Sequence, residues 1–72
     1  MIFEVWKEGY AATCERERAT FYGNIEAVTF EEAVSNLVDG WHDKERYFDR
    51  DVLTWWGCRF FDNEIDARKS FG

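Results

Sequence analysis

His42, Cys14 and Cys58 are the side chains whose types could carry out covalent chemistry, with the imidazole as base for a thiolate nucleophile. Nucleophile, base and orienting group have to converge in space. No local motif here brings them together. The two cysteines stand far apart with no CxxC pair and read as small core residues. His42 belongs to a polar run, residues 42–51, and reads as a solvated loop side chain. The carboxylates Asp62, Glu64 and Asp66 are spaced like part of a calcium loop, but Ala67 stands where that loop needs glycine and its closing glutamate is missing. Helix capping accounts for all three. Asp49 and Asp51 are too few for a hard-cation site, and no phosphate loop or dinucleotide fingerprint occurs. The expectation is a protein without catalytic residues, metal or cofactor.

Recognition is the chemistry the composition favours instead. Seven Phe, four Trp and three Tyr make up 19% of only 72 residues. Aromatic rings bury more area per side chain than most residue types, and so many of them exclude disorder as the main description. A chain of this length forms one domain, residues 1–72, and buries only roughly 60% of the surface its unfolded form exposes. That size leaves no room for a large ligand cavity. No apolar run approaches the roughly 20 residues that span a bilayer, and no signal-peptide pattern opens the chain. Two cysteines are fewer than a disulfide scaffold of this length uses, so reduced thiols and a cytoplasmic location are expected.

Charge narrows the partners. The formal net charge is −6, and residues 1–40 hold −5 of it, with three basic against eight acidic side chains. Nucleic-acid binding relies on Lys and Arg to neutralise phosphates. Direct nucleic-acid binding is therefore not expected, although an aromatic sheet face could in principle stack bases. A basic protein surface would be attracted.

The elements that must position these rings follow from patterning. Residues 2–13 alternate as a strand, with Phe3, Val5, Lys7, Gly9 and Ala11 on one side and Ile2, Glu4, Trp6, Glu8, Tyr10 and Ala12 on the other. Glu15, Arg16, Glu17 and Arg18 read as a hairpin tip. A second strand over residues 19–28 sets Ala19, Phe21, Gly23, Ile25 and Ala27 against Thr20, Tyr22, Asn24 and Glu26. Gly9 and Gly23 suggest bulges or close backbone approach. Thr29 and Glu32 have capping-box spacing. Phe30, Ala33, Val34, Leu37 and Val38 then form an apolar stripe, with Gly40 at the C-terminal left-handed position. The spacing predicts a helix over residues 30–39, with Trp41 folding under the same face. Residues 42–51 read as a loop with room for a short strand at 46–48. Residues 52–61 read as a strand apolar on both sides, with Gly57 as a bulge, and such strands are normally covered on both faces. Asp62 or Asn63 caps a last helix anchored by Ile65 and Phe71.

This order, β-β-α-(β)-β-α, predicts an α+β fold: a small antiparallel sheet of three to four strands with one or two short helices. The helix stripe covers one face. The other face is expected to carry Trp6, Tyr10, Tyr22 and Trp56, with Glu8 and Glu26 around them. Trp and Tyr are enriched at interface hot spots, so this set is the candidate partner-binding surface. The alternative is that the last helix folds back and buries it.

The segment Trp56-Gly57-Cys58-Arg59-Phe60-Phe61-Asp62-Asn63-Glu64-Ile65-Asp66-Ala67-Arg68-Lys69-Ser70-Phe71-Gly72, together with Glu8-Gly9-Tyr10-Ala11-Ala12-Thr13, resembles small uncharacterised proteins of phages and mobile elements in Gram-positive bacteria. The resemblance spans most of the chain and brings no catalytic residues. It implies a compact accessory protein that works by binding. Together with size and charge, it points to a non-enzymatic module that binds a protein, in the manner of a phage-encoded inhibitor occupying the basic channel of a host defence (CRISPR-type) nuclease. A homodimer whose aromatic face pairs with itself, with no dedicated partner, is the second reading.

Overall fold

Thr29 begins the longest helix. Its backbone is extended, and its hydroxyl oxygen accepts the Glu32 N–H at 3.2 Å, satisfying one of the orphan donors of the first turn. The computed structural model describes the backbone of residues 1–12 and 15–69 and the side chains of residues 1–9 and 18–69. Within them the strands are β1 (Ile2–Lys7), β2 (Tyr10–Ala12), β3 (Glu15–Glu17), β4 (Thr20–Glu26), β5 (Phe48–Asp49), β6 (Thr54–Trp55) and β7 (Cys58–Phe61). The helices are α1 (Phe30–Val38), α2 (Lys44–Tyr47) and α3 (Glu64–Ala67).

The fold is α+β, with an antiparallel five-stranded sheet in the order β4-β1-β7-β6-β5. Three to four strands and one or two helices undercount what is described. Residues 52–61 do not run as one strand. Trp56 and Gly57 adopt φ of 52° and 83° and join β6 to β7, with Trp55 paired to Cys58. Two central residues at positive φ are what a tight hairpin turn requires, so Gly57 marks a turn where a bulge was expected. The resulting β7 sits between β1 and β6, in keeping with a covered segment. The short strand expected at 46–48 is instead β5, preceded by α2.

The first hairpin departs from its simplest reading as well. Glu8 and Gly9 interrupt the first strand, and β2 pairs with β3 as a separate ladder, so Glu15 to Glu17 is strand where a tip was expected. Between β1 and β4 the register jumps: Val5 faces Gly23, but the next residue, Trp6, faces Phe21. Tyr22 is the extra residue of a β-bulge, and Gly23 (φ 114°) supplies the conformation it needs.

The core lies between α1 and the sheet. Val5, Ala33, Val34 and Val38 are fully buried, with Ala27 and Phe60 beside them. Phe3, Tyr22, Ile25, Phe30, Leu37 and Trp41 pack around this centre. The α1 stripe and the packing of a partly buried Trp41 against the core agree with the spacing. Gly40 does not take a left-handed φ; the Trp41 N–H reaches back to the Val38 carbonyl at 2.9 Å and turns the chain. Cys58 is buried. Cys14 and Phe71 lie outside the described residues, as does the Tyr10 side chain.

Candidate protein-binding face

The bulge decides which rings share a face. Residues directly opposite on paired strands project to the same side. Phe3 and Ile25 are opposite each other and belong to the core, so their neighbours Ile2, Glu4 and Trp6 point the other way. Their partners Glu26, Asn24 and Phe21 join them. Phe61, paired with Trp6 from the third strand, completes a row of rings, Phe21–Trp6–Phe61, across β4, β1 and β7. Phe21 and Ile2 stay exposed, at 46% and 72%.

Three of the expected site residues are elsewhere. Tyr22 lies on the helix-covered side, with its ring centroid 5.1 Å from that of Trp41 and 6.4 Å from that of Phe60. Strict alternation along β4 placed it with Trp6. The inserted residue at the bulge reverses that parity and sends Phe21 out in its place. Glu8 was expected at the acidic rim but is buried. Its carboxylate accepts the Arg59 backbone N–H at 2.7 Å and the Arg59 guanidinium at 3.1 and 3.3 Å. The hydrogen bonding to Glu8, and after it the attraction of the Glu8 charge, raise Arg59 above its already high ordinary value. Trp56 is exposed at the β6–β7 turn, away from the ring row in the sheet order. Trp6 and Glu26 remain on the open face.

The geometry of the row is specific. The Trp6 and Phe21 centroids are 4.8 Å apart, and the Trp6 indole N–H donates to Glu4 Oε1 at 2.9 Å, which holds that carboxylate beside the indole. Arg59 lies over Phe61, with its guanidinium carbon 5.2 Å from the ring centre, and Arg68 lies over Trp6 at 5.7 Å. Arg68 comes from the end of α3, which packs on β7 and β1. The helix begins where Asn63 Oδ1 accepts the Asp66 N–H at 2.8 Å. The Asn63 amide and the Lys69 ammonium hold the Asp66 carboxyl below its ordinary range. The last helix does fold back, but as a single turn that closes one flank. Ile65, expected as its anchor, is 76% exposed, while Ala67 is buried.

Of the side chains weighed for catalysis, Cys14 lies outside the described residues and Cys58 is buried. His42 is a surface residue, 3.3 Å from Asp43. Asp49 Oδ1 accepts the N–H groups of Asp51 and Val52, which closes the turn before β6. Asp62, Asp66 and Glu64 are engaged by Asn63, Lys69 and Arg68 around α3. No cluster of three metal-ligating side chains occurs among the described residues, and no helix there is long and apolar enough to cross a membrane.

The Trp56 turn yields a first prediction. A tryptophan at φ 52° costs on the order of 1 kcal/mol relative to a residue that tolerates this region. Asparagine before glycine is the favoured pair for such a turn. Trp56→Asn should raise the melting temperature by about 4–8 °C, in proportion to about 1 kcal/mol for a domain of this size. A fall in stability would mean that packing of the indole outweighs the backbone strain.

No protein-family model, no curated protein and no solved structure matches the chain.

Proposed function

We propose that the chain is a non-enzymatic module that binds a basic protein surface through the open face of its sheet. The single observation behind this reading is the Phe21–Trp6 pair, half-covered rings 4.8 Å apart on a sheet face whose other exposed side chains include Ile2, Glu4 and Glu26. Aromatic centres with a polar rim are the usual anatomy of an interface hot spot. The acidic surround and a net charge of −6 favour a cationic partner. The basic nucleic-acid channel of a host defence nuclease is one surface of that chemistry. Self-association is the weaker reading, because a symmetric face-to-face dimer brings the same acidic surface of each copy against itself.

Affinity capture with the immobilised protein tests this. The partner retained by the wild type at about 50 mM salt should be lost from Phe21→Ser and weakened at about 300 mM salt, where exposed attractions are screened. Retention that ignores both changes would overturn the reading. A species that sediments as a dimer, and loses the dimer with Phe21→Ser, would favour self-association instead.

A further inference from the structure

The open face already holds two guanidinium groups of its own chain in the same way. Arg59 lies over the Phe61 ring while its Nε and Nη2 donate to the Glu8 carboxylate. Arg68 lies over the Trp6 ring while its Nε donates to Glu64 Oε2 at 2.6 Å. Each place combines an aromatic face with a carboxylate beside it. The same two ingredients recur a third time at the β4 side of the row. There the exposed Phe21 ring lies against Trp6, tilted by 35°, and Glu4 Oε1 is held by the Trp6 indole N–H. That hydrogen bond uses one acceptor site of a carboxylate that has two oxygens and about four lone-pair directions.

We infer that this third place, formed by Phe21, Trp6 and Glu4, binds an arginine side chain of a basic partner segment. The inference rests on the reading of the face as a protein-binding surface and names the chemistry it selects. A guanidinium plane stacks on a ring and donates two parallel N–H groups to a carboxylate, whereas an ammonium offers a compact, strongly hydrated point charge. Net charge attracts lysine-rich and arginine-rich segments alike. The ring–carboxylate pair discriminates between them. Nucleic acid is disfavoured at the same place because Glu4 and Glu26 stand on that face with the rings.

The test uses the purified full chain and two synthetic peptides of equal charge, hexa-arginine and hexa-lysine, titrated at about 50 mM salt. The arginine peptide should bind about two- to fivefold tighter, the ratio expected from one exposed stacked guanidinium. Phe21→Leu, which keeps an apolar side chain at the strand position, should remove that preference. Glu4→Gln, which keeps an acceptor for the Trp6 indole, should reduce it. Chemical shift changes should centre on the Trp6 indole N–H. Equal affinity for both peptides, no binding of either, or a preference that survives both substitutions would each overturn arginine recognition. None of these results would touch the broader module reading, which stands or falls on Phe21-dependent capture of the protein partner.

Discussion

Trp41→Ala is expected to lower the unfolding free energy by about 3–4 kcal/mol, which for a domain of this size leaves little native population at 37 °C. Trp41 follows α1 and closes the core at the point where the helix hands over to the second half of the chain. Its ring meets Trp55 edge-on at 4.8 Å, Tyr22 at 5.1 Å and Phe60 at 6.3 Å. These partners come from β6, β4 and β7, so a single side chain ties both halves of the sheet to the helix. Alanine would remove the apolar area and open a cavity between elements that are each too short to collapse around it. The backbone hydrogen bond from Trp41 N–H to Val38 survives the substitution, so the loss isolates the ring. Trp41→Phe retains part of the stack and should cost about 1–2 kcal/mol. Urea unfolding followed by far-UV circular dichroism measures both. A loss below about 1 kcal/mol for the alanine variant would show that Tyr22, Trp55 and Phe60 close over the gap.

The helix α1 and the packing of Trp41 against the core were legible because their signals are local. A capping threonine, an apolar stripe and a tryptophan three turns on all lie within 13 residues, and tertiary context has nothing to add except a surface to cover. The strands β1 and β4 were legible as strands, but the facing along β4 was not. A glycine inside a strand announces a bulge without saying which neighbour is the inserted one. Phe21, Tyr22 and Gly23 could each have been that residue, and two of the three are aromatic, so either parity yields a plausible core. The outcome is set by Val5 and Trp6, which are consecutive on β1 and need partners on opposite faces. The functional consequence is direct: Phe21, assigned to the core by alternation, forms the exposed centre of the candidate site.

Residues 52–61 failed for a related reason. Trp55, Trp56, Phe60 and Phe61 have strong β propensity, and propensity argues for an unbroken strand. Pairing competes with it. Folding Cys58–Phe61 back lets β7 bond β1 on one side and β6 on the other, at the expense of a tryptophan in a left-handed turn. A tryptophan–glycine pair does not resemble the usual Asn-Gly signal, so nothing local marked it. Phe61 reached the site through this same fold-back, and no alternation pattern could have placed it beside Trp6.

Glu8 was the acid least legible from sequence, since its burial depends on Arg59, 51 positions away. Two backbone groups meet there as well: the Glu8 N–H donates to the Arg59 carbonyl at 2.9 Å, and the Arg59 N–H donates to Glu8 Oε2 at 2.7 Å. The carboxylate thus continues the β1–β7 ladder past Lys7 with a side-chain acceptor in place of a carbonyl. Glu8→Ala removes the acceptor of a backbone donor and the counter-charge of a guanidinium together. The Arg59 side chain is 58% exposed and its charge can be rehydrated, so the cost comes mainly from the stranded N–H and the lost charged hydrogen bond, about 2–3 kcal/mol. With a urea dependence of about 1 kcal/mol per molar, the midpoint should fall by about 2–3 M. Glu8→Gln keeps a carbonyl oxygen for the Arg59 N–H and should recover roughly half of that loss. Because the Glu8 side chain is only 8% exposed, raising salt to about 0.5 M should leave the difference nearly intact, unlike that of a surface pair. Glu8→Gln should also leave the arginine-over-lysine preference of the open face unchanged, whereas Glu4→Gln reduces it. An exchange of these two behaviours would make Glu8 the docking acid and Glu4 the structural one.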